Sequence, residues 1–303
     1  MSARGWVLFA AVSLLWGVPY LLVAEALDAG VGAFALVASR VVVGAAVLMV
    51  LVGGDAARLI HRTPLRVGVL ALVEVAIPFT LIAVAERSVS SGTAGVLIAL
   101  EPFFVLVWSG LIVRGKASAW ARLVPGSVLG FTGVLVLLGA PGAGVGAWLL
   151  VAAAACYGLG AVLVARWFAT EPSLPIAAAM LVVAAPIAVV VAGFVDGMPP
   201  ASVRGVVAMV LLGAACTAGG FAAFFALIKT AGAHSASLIT YVAPIVALAV
   251  GVAFRGESLT FGSVLGTTLV LAGAWICLRY ASGSTKRRPA SPPTPTAHTQ
   301  GGQ

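Results

Sequence analysis

At 303 residues, 62% hydrophobic, 9% charged and with a net charge of +8, the chain stands far from the roughly 45–50% apolar and 25% charged residues of an average soluble domain. No water-soluble fold hides that much apolar surface, so the bilayer is the solvent and a soluble enzyme is excluded. Nucleic acid is a poor partner for the positive charge, because the basic residues lie between apolar runs and in a tail rather than along one amphipathic face.

In chain order, runs long enough for a span of about 20 residues are predicted near 6–27, 33–53, 67–86, 92–113, 121–140, 146–168, 173–195, 203–228, 234–254 and 259–280. The first follows Ser2-Ala3-Arg4 and could pass for a signal peptide, but its apolar stretch is long enough to span. Gly53-Gly54-Asp55, Ser90-Ser91-Gly92, Pro141-Gly142-Ala143-Gly144 and Asp196-Gly197-Met198-Pro199-Pro200 punctuate the runs as turns. Residues 281–303 turn to Ser, Pro, Thr and Gly after Lys286-Arg287-Arg288 and read as a disordered cytoplasmic tail. Cys156, Cys216 and Cys277 each stand alone in an apolar run, so they are expected to pack as small apolar residues, with no metal site.

Lysine and arginine accumulate on the cytoplasmic side of spans. With the N-terminus inside, only Arg87, Arg204 and Arg255 fall outside, whereas Arg58, Arg62, Arg66, Lys229 and the tail cluster fall inside. The fold class expected is therefore all-α integral membrane, with ten transmembrane helices and both termini cytoplasmic in a cell membrane.

Shifting the chain on itself by about 141 residues superposes Trp16-Gly17 on Tyr157-Gly158, Pro102 on Pro244 within one position, and Arg114-Gly115 on Arg255-Gly256. Gly126-Ser127-Val128-Leu129-Gly130 returns as Gly262-Ser263-Val264-Leu265-Gly266. Ordered self-similarity means duplication, and an odd number of helices per unit makes the copies inverted repeats, an architecture of secondary transporters. The units expected are 1–140 and 141–280. The Gly-x-x-x-Gly pairs are read as close helix contacts rather than substrate contacts.

Leu14-Leu15-Trp16-Gly17, Arg40, the central Pro102 and Pro244, and the Arg255-Gly256-Glu257-Ser258-Leu259-Thr260 turn together resemble the drug/metabolite transporter superfamily, in its ten-helix EamA-type branch. The resemblance covers residues 5–280 and implies efflux or exchange of small metabolites, such as amino acids, their derivatives or toxic amphiphiles, along a path between the repeats. It departs from the family pattern at Lys116, which replaces an acidic residue usual at the turn after the fourth helix and suggests a structural or topological role for that acid.

Ionisable side chains within the hydrocarbon mark a pathway by default, which singles out Glu25, Arg40, Glu74 and Glu101. Glu101 lies roughly 14 Å deep in its run, near the midplane, and Pro102 beside it removes a backbone donor one turn back. It could carry a proton or pair with a cationic substrate; a fixed ion pair with Arg40 is the even alternative. Glu74, at roughly 10 Å, either lines the path or pairs with a polar neighbour, and Glu25 is close enough to the surface to reach water. Trp16, Tyr20, Tyr157 and Tyr241 could line a cavity for aromatic or amphipathic solutes, with Trp16 and Tyr157 repeat-equivalent.

His61, His234 and His298 fall in a loop, at a helix start and in the tail, with no paired carboxylates or nucleophile, so an intramembrane enzyme is not expected. No phosphate-binding loop is present and no cofactor is expected. A gradient-driven exporter working by alternating access is the leading reading, and a passive facilitator, a channel or a non-transporting membrane partner the rival. Small-molecule substrate and lipid are the expected partners, and a monomer the expected state, with a dimer left open.

Overall fold

The computed structural model describes residues 1–113, 124–138, 144–197 and 202–285. Seven helices among them are long and apolar enough to cross a membrane: α1 (Ala3–Asp28), α2 (Ala33–Arg62), α3 (Pro64–Ala85), α4 (Ser91–Ile112), α6 (Gly144–Trp167), α7 (Ser173–Val195) and α8 (Val203–Gly232). Three shorter apolar helices complete the described order: α5 (Val124–Leu137), α9 (Ile239–Arg255) and α10, which runs from Phe261 to Thr285. With the start of α1 defining the near end of the bundle, Asp28, Asp196, Arg204, Arg255 and Glu257 collect at the far end.

Several boundaries differ from the sequence reading by a few residues, and two of the differences bear on the fold. α2 continues through Gly53-Gly54-Asp55 to Arg62, with a kink at Val52 (φ −142°), because Ala56 and Leu59 beyond that punctuation are buried in the main apolar cluster. α10 continues over residues 281–285, where the tail was expected to begin, and 286–303 lie outside the described residues.

The helices around the centre are interrupted. α1 breaks at Val18, where Pro19 starts the next turn. α4 breaks at Ala99–Leu100, whose amides bond to Val96 and Leu97 in tight turns, before restarting at Glu101 and Pro102. α3 and α8 each contain a π-helical stretch, Ala71–Ala76 and Leu211–Gly219. These two lie about 140 residues apart, the spacing of the sequence repeat. Inserted turns of this kind in a membrane helix are tolerated where the backbone is buried in protein or lines a cavity.

Helix contacts obey the same two-fold pattern. A methyl group on Gly17 of α1 would come within 2.8 Å of the Ala243 carbonyl of α9, and one on Gly158 of α6 within 2.6 Å of Phe104 Cβ in α4. The first helix of each half thus packs on the fourth of the other. α5 and α10 close on each other through glycine: a methyl on Gly133 would lie 2.7 Å from the Gly266 oxygen, and one on Gly273 would lie 2.5 Å from the Gly130 nitrogen. Of the Gly-x-x-x-Gly pairs, Gly130 and Gly266 thus lie at the expected close helix contact, while a methyl on Gly262 would meet only Thr260 at 3.7 Å. Gly133→Leu is expected to lower stability by about 1–3 kcal/mol through overpacking, read as a fall in the thermal unfolding midpoint in detergent.

Candidate functional site

Where the interrupted helices meet, a cavity of about 270 Å³ opens between the halves. Its wall carries most of the residues singled out from sequence: Trp16, Tyr20, Arg40, Glu74, Glu101, Tyr157 and Pro244. Pro102 and Tyr241 are not in the lining; Pro102 lies next to Glu101, just past the break in α4. Phe79, Cys216, Thr217, Phe221, Phe224 and Thr240 also line it; the sequence reading took Cys216 for a packing residue and did not single out the others.

Arg40 stands about two turns into α2. Its Nε donates to Thr217 Oγ1 at 2.9 Å and its guanidinium carbon sits 3.8 Å from the Phe79 ring centroid, a cation–π contact. Among the described residues no ion pair joins Arg40 to Glu101 or Glu74, so the fixed pair considered from sequence is absent there. Glu74 stands in the π-helical stretch of α3; a side chain at Gly160 of α6 would collide with its carboxylate, so that glycine makes room for it. Across the cavity, Trp16 packs on Phe224 at 4.6 Å and edge-on to Phe221 at 6.2 Å, forming an aromatic wall. Cys216, expected to pack as a small apolar residue, does so at the cavity wall and is buried.

Charged side chains tie the helices together at the far end. The Glu257 carboxylate accepts from the Ser91 amide at 2.8 Å, the Ser91 hydroxyl at 2.6 Å and the Gly92 amide at 3.0 Å. It therefore caps the first turn of α4, where free N–H groups and the helix dipole favour an anion. Gly256 delivers it there, ending α9 in the left-handed region (φ +64°) that glycine adopts without a Cβ penalty. Of the two roles that the Lys116 departure suggested for the acid, structural or topological, this cap fits the structural one; Lys116 lies outside the described residues. Arg255 reaches Asp28 at 2.8 Å and Glu25 at 3.3 Å, while Arg204 Nε donates to Glu25 at 2.7 Å. Glu25, placed near the surface by the sequence reading, is thus paired twice. Asp196 caps α2 in the same manner, accepting from Phe34 and Ala35.

Glu86 was missed from sequence because it sits in the polar turn after α3. It is only 8% exposed, and neither carboxylate oxygen has a hydrogen bond among the described residues.

At the near end α4 leans on α6 instead: Trp108 Nε1 donates to the Ala155 carbonyl at 2.9 Å and Arg166 to the Ile112 carbonyl at 3.2 Å. α4 is thus tied to α9 at the far end and to α6 at the near end, and the cavity lies in the angle between them. His234 and Cys277 have no described side chain.

A solved crystal structure of another protein, 21% identical, superposes with a TM-score of 0.60 over 93% of this chain and 99% of that one; that likeness shows the fold alone. In sequence the chain is 29% identical over 218 residues to a protein of Streptantibioticus cattleyicolor named "Probable terminal-alkyne amino-acid exporter", covering 69% of this chain and 70% of that protein. It is 28% identical over 207 residues to an "Uncharacterized transporter" of Archaeoglobus fulgidus, covering 64% and 70%. Residues 3–139 and 144–279 each match one EamA unit. Two EamA repeats, an all-helical multi-pass architecture and relatives named as transporters give the identity: the chain belongs to the EamA-like transporter family, whose members are named for membrane transport rather than for enzymatic activity.

Proposed function

We propose that this protein is a secondary transporter that exports small zwitterions of the amino-acid type across the cell membrane by alternating access between its two repeats. The observation that carries the substrate class is the cavity itself: a guanidinium with no carboxylate partner among the described residues, two carboxyl groups and an aromatic wall share one space. Arg40 suits a carboxylate, Glu101 or Glu74 an ammonium group, and the aromatic wall an apolar side chain. The amino-acid exporter named among the relatives supports both the class and the direction.

Lysine and arginine bias supports both termini in the cytoplasm; with that orientation the far end faces out, and the Glu257 cap that ties α4 to α9 there supports reading the cavity as inward-facing. Glu101, at the α4 break, is the group assigned to carry a proton when the site is empty of substrate. Ten helices of one chain suffice to surround such a pathway, which supports a monomer as the working unit.

Cells overproducing the wild type, Glu101→Gln at matched membrane level, or neither protein distinguish the readings. An amino acid or close derivative enriched outside only with wild type is the expected result. Equal enrichment with Glu101→Gln removes Glu101 from the working cycle, and no enrichment with either removes export.

A further inference from the structure

A cation in the hydrocarbon region is costly, and Arg40 has no carboxylate partner among the described residues. What holds it is Thr217, 1% exposed, in the π-helical stretch of α8. A hydroxyl has a single proton, and Thr217 commits it to the Leu212 carbonyl at 2.8 Å, five residues back. Toward Arg40 it can therefore only accept, which it does from Nε at 2.9 Å. Close approach makes this possible: a methyl on Gly213 would lie 2.8 Å from the Arg40 carbonyl oxygen, and one on Gly44 would lie 3.2 Å from Thr217 Cγ2. Phe79 covers one face of the guanidinium at 3.8 Å. With Nε spent and one face covered, the Nη1 and Nη2 edge has no hydrogen bond among the described residues. That edge is the planar two-donor fork that matches a carboxylate.

We infer that Thr217 is a positioning residue for substrate recognition: its hydroxyl, fixed in polarity by Leu212, aims the free edge of Arg40 at the substrate carboxylate. Because Arg40 belongs to the first repeat and Thr217 to the second, the aimed fork exists only while the repeats hold this arrangement, so carboxylate affinity is tied to one state of the cycle. The inference rests on the amino-acid reading above.

The test uses the full chain in detergent with phenylalanine and phenylalaninamide as probes, their affinities measured by calorimetry for wild type, Thr217→Val and Thr217→Ser. Thr217→Val is expected to weaken phenylalanine about tenfold, which corresponds to about 1.4 kcal/mol, and phenylalaninamide less than twofold. Thr217→Ser is expected to restore wild-type selectivity. Equal weakening of both probes, or none, overturns the role. Should Thr217→Val fail to fold, Thr217→Ala is read by the same two-probe comparison. If wild type binds neither probe, the amino-acid reading fails while the positioning role stays testable: hydrogen exchange at Arg40 Nε, followed by nitrogen-15 NMR and assigned with Arg40→Lys. Slow exchange in wild type and Thr217→Ser with fast exchange in Thr217→Val supports the role, and equal rates in all three overturn it.

Discussion

Glu257→Ala is expected to release the far end of the bundle. The carboxylate holds two amides and one hydroxyl at the start of α4 from a turn fixed to α9, so it bridges the helices that must part if the far end opens. Hydrogen bonds to a charged group contribute about 1.5–3 kcal/mol each, and water replaces part of that loss after truncation. A net shift of about 3 kcal/mol, or a factor of about a hundred in the closed-to-open ratio, follows. The measurement is the rate at which a membrane-impermeant maleimide, applied from the side of the far end, modifies a cysteine placed at Ile82, in a chain freed of its own cysteines. Ile82 lines the cavity and is 4% exposed, so a large acceleration over Glu257 wild type is expected, with Glu257→Gln in between. An unchanged rate would mean that the cap contributes nothing to closure.

Arg40→Met is expected to lower affinity for carboxylate-bearing substrates about a hundredfold or more. Removing one member of a buried, hydrogen-bonded charge pair costs about 2–5 kcal/mol, and here the pair forms when substrate arrives. Methionine keeps the length and the contact with Phe79 while removing every donor. Transport kinetics in proteoliposomes check it: KM for phenylalanine should rise steeply and KM for phenylalaninamide far less. Arg40→Lys should fall short of wild type as well, because an ammonium is a point charge without the planar fork. A similar change for both substrates would reduce Arg40 to a structural cation.

The sequence was most legible where the signal was composition. Ten apolar runs and their alternation with basic turns follow from what a bilayer demands, the internal repeat from duplication, and ten apolar helices stand at those places among the described residues. Boundaries failed where a second force acted: Gly53-Gly54-Asp55 reads as a turn, yet burial of Ala56 and Leu59 carries α2 through it. The charged members of the cavity, Trp16 and the tyrosines were legible because a charge in hydrocarbon, or a tryptophan matched by a tyrosine one repeat later, stands out against alanine and valine, whereas Phe79, Phe221 and Phe224 did not. Thr217 did not stand out, since a lone hydroxyl in an apolar helix has a partner in its own backbone. Its importance comes from the π-helical stretch around it, and a register shift of the backbone leaves no composition signal. Glu257 was legible as part of a turn but not as a cap, because Ser91, its partner, lies 166 positions away.

The most direct test of the account is counterflow with purified protein in proteoliposomes preloaded with unlabelled phenylalanine, followed as accumulation of labelled phenylalanine. The account predicts transient, saturable accumulation that is blocked by excess unlabelled phenylalanine, reduced by Arg40→Met and absent from empty liposomes. Accumulation equal to that of empty liposomes, or linear uptake that never saturates, would contradict a zwitterion carrier working by alternating access.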